Sequence, residues 1–122
     1  MQFAILAYHD PADIKQLSQE EDDALMADLY RAHERINETG RLGPAARLDY
    51  TSEAVTLRGL GPDKIIDGPF AETKEALLGI YVVDVASREA AIEAARELKK
   101  VNPSAVYEIR PVTVYLPGVP IG

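Results

Sequence analysis

The stretch Asp67-Gly68-Pro69-Phe70-Ala71-Glu72-Thr73-Lys74-Glu75 places carboxylates, a lysine and a glycine–proline bend in immediate succession. Such a segment has two readings. As a turn, Asp67 caps backbone N–H groups while Gly68 is the flexible joint and Pro69 the rigid one. As part of a cleft, Asp67 or Glu72 is desolvated, rises in pKa and can move a proton. Phe70 reads as a packing anchor. Further along, alternation sends Glu108 and Arg110 to one side of a strand and Tyr107 and Ile109 to the other. Arg110 could hold a carboxylate or enolate in a bidentate grip, with Lys74 and Glu108 nearby and Tyr81 or Tyr8 donating a hydrogen bond. Charges on a sheet face that meets a subunit must be paired or must line a wet cavity. Asp67, Glu72, Lys74, Glu108 and Arg110 are therefore expected either to converge on a small anionic ligand or to form interfacial ion pairs.

His9 and His33 are the only histidines. His9, at a strand end beside Asp10, is either a cleft base or an isolated surface histidine, and His33 reads as a boundary residue of a helix. Neither belongs to a helix pair or a His-x-His set at ligand spacing, so no metal is expected. Gly59-Leu60-Gly61 runs into Pro62 and belongs to a hairpin; no phosphate-binding loop, nucleotide fingerprint or nucleophile elbow is present, and no organic cofactor is expected. The absence of cysteine removes disulfides, thiolate metal sites and cysteine nucleophiles. With 20 Asp+Glu against 13 Lys+Arg the formal charge is -7, which disfavours a nucleic-acid partner. No apolar run approaches the roughly 18 residues of a membrane span, and the N-terminus lacks a signal-peptide layout, so a cytoplasmic location is expected.

The elements that must position these groups are legible from periodicity. The 122 residues suit one domain. Gln2 to Tyr8 reads as a strand with apolar residues on both faces, closed by His9-Asp10-Pro11. Ser18-Gln19-Glu20-Glu21 is a capping box opening a helix whose stripe is Leu25, Leu29, Ala32 and Ile36, with Gly40 as a left-handed stop. A strand is placed near Arg47, and Ala54–Arg58 and Lys64-Ile65-Ile66 form a hairpin around Gly59–Asp63. Leu77 to Val85 is a strand, with Leu78, Ile80 and Val82 on one face and Leu77, Tyr81, Val83 and Val85 on the other. Ser87 caps a second helix carrying Ala91, Ala94, Ala95, Leu98 and Val101, which Asn102-Pro103 breaks. Val106 to Tyr115 is the last strand, and residues 116–122 form an extended tail. This order is the ferredoxin-like split βαβ pattern: an α+β domain over residues 1–122, with two helices on one face of a mostly antiparallel sheet. The uncovered face would be a large apolar patch, so a homodimer with facing sheets is expected, leaving a polar hollow beside the Asp67–Phe70 bend.

The segment from Asp67 to Glu75 closely resembles the signature of the DGPF group of the YCII-related family. Leu78-Gly79-Ile80-Tyr81, the helix with Ala91 and Ala95, and Glu108-Ile109-Arg110-Pro111 extend the resemblance over nearly the whole chain. It implies a ferredoxin-like subunit that dimerises as a dimeric α/β barrel, with a small-molecule site in the cleft. Some relatives act as lyases or dehydrochlorinases on ring-cleavage products, and DGPF members often occur with extracytoplasmic-function sigma factors. Taken with the candidate residues above, the expectation is a cofactor-free lyase or isomerase, or alternatively a sigma-factor-linked sensing module. One departure stands out. The better-studied YCII branch resembles enzymes that use a helix histidine and an aspartate as a dyad; that histidine's position falls near Leu29 here, with His33 one turn later, so the dyad does not transfer.

Overall fold

Strand β1 (Gln2–His9) alternates strictly, with Phe3, Ile5, Ala7 and His9 buried and Ala4, Leu6 and Tyr8 half-buried. This is the period-two signature of a strand with one face in a core. The computed structural model describes residues 1–15, 17–71 and 73–122, with the side chains of residues 14 and 15 outside that set. A short helix α1 (Pro11–Lys15), which periodicity did not reveal, follows β1. Helix α2 (Gln19–Thr39) opens on the expected capping box: Ser18 Oγ accepts from the Glu21 N–H, and the Glu21 carboxylate accepts from the Ser18 N–H. Then come β2 (Arg41–Arg47), β3 (Val55–Leu57), β4 (Ile65–Asp67), β5 (Ala76–Asp84), α3 (Arg88–Val101) and β6 (Val106–Pro111).

The main sheet has the order β2-β5-β1-β6, and every neighbouring pair is antiparallel. With α2 and α3 as its crossovers this is the ferredoxin-like α+β fold. The core lies between the helices and the sheet, where Leu29, Ala32 and Ile36 of α2 and Ala91, Ala94, Ala95 and Leu98 of α3 meet Phe3, Ile5 and Val83. The small alanines let α3 lie close to the strands. Ribbon β3–β4 stands as a separate two-stranded sheet inserted between β2 and β5.

Three local expectations are corrected. Gly40 is not left-handed: its φ of -161° and ψ of -159° are extended, because the chain passes straight from α2 into β2. Glycine is needed there for space, since a Cβ would lie 2.7 Å from Val85 Cγ1 and 3.1 Å from the Asp84 carbonyl oxygen. In β5 the faces are not those of simple alternation. Ala7 pairs with Gly79 but Tyr8 pairs with Leu77, so Leu78 is the extra residue of a bulge. Leu77 consequently lies outward with Ile80, while Leu78 is buried. The last strand ends at Pro111 rather than Tyr115: β6 pairs with β1 only as far as Phe3↔Pro111, and Val112 adds one further bond to the Gln2 carbonyl.

Candidate functional site

At the Phe3 end of β1, large side chains fill the space beneath the helices. At the His9 end the sheet offers Ala7, Ala45 and Gly79, and the room they leave is a cavity of about 600 Å³ between α2 and the sheet. Alpha-helical spacing delivers Asp22, Leu25, Met26, Leu29, Tyr30 and His33 to its other wall. His9, Tyr81, Asn102 and Tyr107 form its polar end, and Arg47 and Asp49 complete the charged part of the lining.

His9 is only 5% exposed, so it is a cavity residue and not a surface histidine. Its Nε2 lies 3.3 Å from Asn102 Nδ2, and Nδ1 is buried without a partner among the described residues. Burial, the dominant influence, holds the ring below its ordinary pKa; Arg47 and Lys99 push the same way, and Asp13 opposes them. Asn102, 7% exposed, ends α3 and is fixed from several sides. Its N–H donates to the Leu98 carbonyl, its carbonyl accepts from Ala105, and Lys99 ties the turn by donating to the Pro103 and Ala105 carbonyls. The Asn102 amide also donates to the Tyr107 hydroxyl at 3.4 Å. Burial raises the Tyr107 phenol to about 12, so it stays protonated at neutral pH.

His33 faces the cavity from α2. Its ring makes edge contacts with Tyr81 at 5.4 Å and Tyr30 at 6.1 Å between centroids. Its Nε2 is also buried without a partner among the described residues, and burial lowers its pKa. Burial likewise raises the Tyr81 hydroxyl. Two neutral imidazoles and two protonated phenols therefore share one space, a set suited to hydrogen bonding and to proton transfer. Arg47 pairs with Asp22 at 3.0 Å across α2 and β2, so the one cation among the described lining residues is already engaged.

The residues singled out from the sequence fall into three places. His9 and Tyr81 are in the cavity. Tyr8, Glu108 and Arg110 lie together on the opposite, helix-free face: Tyr8 Oη donates to Glu108 Oε1 at 3.1 Å, and Arg110 Nε is 3.9 Å from Glu108 Oε2. Asp67, Gly68, Pro69, Phe70 and Lys74 belong to the ribbon and its return to β5, while Glu72 lies outside the described residues. The bend is a built turn. Gly68 has a positive φ of 104°, donates its N–H to the Ala54 carbonyl at 2.7 Å, and accepts from Thr56 Oγ1 at 2.8 Å. Phe70 is not packed inside this chain; it is 72% exposed, with the Arg58 guanidinium 4.9 Å over its ring. The hollow beside the bend, about 290 Å³, is lined by such groups as Pro11, Thr51, Ser52 and Pro69 and carries no titratable side chain among the described residues. Among the described residues no hydrogen bond or ion pair joins Asp67 or Lys74 to Glu108 or Arg110.

A model of the YCII-related domain matches residues 1–115. The chain belongs to the YCII-related family. An uncharacterized protein of Rhizobium meliloti (strain 1021) is 47% identical over 120 residues, covering 97% of each chain. In this YCII-related chain Leu29 lines the cavity together with His33 one turn on. The residues that sequence reasoning passed over are Asn102, taken only as a helix breaker, Tyr107, placed only on the side of its strand away from Glu108 and Arg110, and His33, read only as a boundary residue of its helix. The inward alternation of β6 was a usable signal for Tyr107; nothing local marked Asn102.

Proposed function

We propose that this chain binds a small organic molecule in the cavity between α2 and the sheet and, without a cofactor, moves a proton on it through neutral histidines. The observation that carries this is that His9 and His33 line one cavity and each holds a buried ring nitrogen, His9 Nδ1 and His33 Nε2, with no partner among the described residues. An unpaired buried polar group costs about 1–3 kcal/mol, which a bound ligand offsets. The reaction class is lyase or isomerase, since both need only a positioned acid and base. Arg110, the group expected to grip an anionic substrate, is on the other side of the sheet from these histidines.

Solvent exchange tests this directly. Wild-type protein in D₂O is expected to speed deuterium entry into at least one member of a panel of small lactones, ketones and unsaturated carboxylates, followed by proton NMR. His33→Gln should slow that exchange on the order of 100-fold, the usual worth of a positioned base. Binding with no exchange across the panel would refute the catalytic reading and favour a ligand-sensing module, sigma-factor-linked as the DGPF resemblance implies.

The proposal includes a homodimer. Leu77, Ile80 and Val106 are exposed together on the helix-free face, and Leu116, Val119 and Ile121 of the tail are exposed as well. An apolar surface of this kind favours a second copy as cover. Sedimentation at micromolar concentration should give twice the mass of 13.4 kDa, and a stable monomer would refute this part.

A further inference from the structure

We propose, building on the cavity reading above, that the ligand carries an uncharged carbonyl oxygen and that His9 meets it as an Nδ1–H donor, its tautomer set by Asn102. The Asn102 amide nitrogen is a donor only. It carries two hydrogens and has two acceptors in reach, His9 Nε2 at 3.3 Å and the Tyr107 hydroxyl at 3.4 Å. To accept, Nε2 must present its lone pair, so the proton of the neutral ring sits on Nδ1. That N–H has no acceptor among the described residues. It is a buried donor with its direction held by the end of α3, and its missing partner is an oxygen supplied from outside.

The charge of that oxygen follows from the surroundings. The charged side chains lining the cavity are Asp22, Asp49 and Arg47, and Arg47 is engaged by Asp22. Around His9 itself, burial opposes a second proton, Arg47 and Lys99 add to that, and Asp13 works against it without reversing the direction. Among the described residues a carboxylate would therefore meet no free cation in the lining and would sit beside Asp49, whereas a ketone, enone or lactone carbonyl needs only the donor that is there. Leu25, Met26, Leu29, Leu48 and Leu78 supply apolar wall for the rest of such a molecule.

This divides the work between the two histidines. His33 takes a proton from the carbon next to the carbonyl; the C–H electron pair moves into the new C=C bond, and the carbonyl π pair moves onto oxygen. The enolate oxygen is held by His9 Nδ1–H, and the proton on His33 returns to a carbon of the same molecule. Atoms and electrons balance with no co-reactant. Asn102 acts as a positioning residue, since it touches His9 and not the ligand.

The test uses full-length ¹⁵N-labelled protein, with acetophenone and benzoate as probes that share a ring and differ in the head group. Long-range ¹H–¹⁵N correlations should show His9 protonated at Nδ1 and unprotonated at Nε2. Acetophenone should shift the Nδ1 signal and bind at least tenfold more tightly than benzoate. Asn102→Asp, whose carboxylate accepts from Nε2–H instead, should reverse the tautomer and weaken acetophenone at least tenfold. A wild-type Nε2–H tautomer, or tighter binding of benzoate, would overturn the carbonyl assignment while leaving the cavity reading in place. Failure of both probes to move any cavity resonance would overturn both. The tautomer measurement needs no variant, so misfolding of Asn102→Asp would not protect the idea.

Discussion

Replacing Asn102 by leucine removes the amide that holds His9 without changing side-chain volume much. The magnitude follows from what is left behind. His9 is 5% exposed and its Nδ1 is already unpartnered, so losing the bond at Nε2 leaves the second ring nitrogen buried and unpaired as well. One additional buried unpaired group costs about 1–3 kcal/mol. The bond to the Tyr107 hydroxyl, at 3.4 Å near the long limit, adds little. The backbone bonds from Asn102 to Leu98 and from Ala105 to Asn102 do not involve the side chain and persist. Asn102→Leu should therefore destabilise by about 2 kcal/mol, read as a lower urea midpoint at unchanged slope. The discriminating step is the double variant. Replacing both members of a buried polar pair by apolar groups of similar shape can be nearly neutral, so His9→Leu added to Asn102→Leu should restore at least about 1 kcal/mol. If the two single costs simply add to within about 0.5 kcal/mol, His9 and Asn102 are not coupled and the site geometry described above is wrong.

Two further outcomes follow from the same structure. Gly40→Ala should cost about 1–3 kcal/mol by overpacking against Val85 and the Asp84 carbonyl, and Gly40→Asn should cost more; an asparagine tolerated better than alanine would instead indicate a left-handed cap. Burial holds the folded pKa of both His9 and His33 below the ordinary 6.5, so as pH falls the unfolded chain binds protons first; the stability owed to the neutral rings is complete above that value and declines as pH drops through it, and a urea midpoint indifferent to pH across this window, or a slope unchanged in His9→Gln, would contradict the assignment.

The sequence by itself determined whatever depends on neighbours a few residues apart. The Ser18–Glu21 box is a contact within one helical turn, α3 is an alanine stripe of period 3.6, and the β3–β4 ribbon closes over a short turn. Alternation alone also put Glu108 and Arg110 opposite Tyr107 and Ile109. From these the ferredoxin-like fold follows, because so ordered a set of amphipathic elements has few ways to bury its faces. The bulge at Leu78 escaped, since one inserted residue reverses alternation and only the pairing partner in β1 reveals it. Gly40 was legible as a required glycine but not for its reason, which is the approach of Val85 from a distant strand end.

The candidate site shows the same division more sharply. The Asp67–Phe70 bend carries the most distinctive local chemistry, yet its hydrogen bonds are those of a turn. The cavity draws on residues 93 positions apart at the His9–Asn102 contact, and although His9 and Tyr81 were candidates in the sequence, nothing local said that they share a space with Asn102, Tyr107 and His33. Small side chains at one end of the sheet leave the volume, the end of α3 delivers the amide, and α2 brings His33. Which side chains share a low-dielectric space is decided by the packing of layers, and that packing sums over the whole chain instead of any window within it.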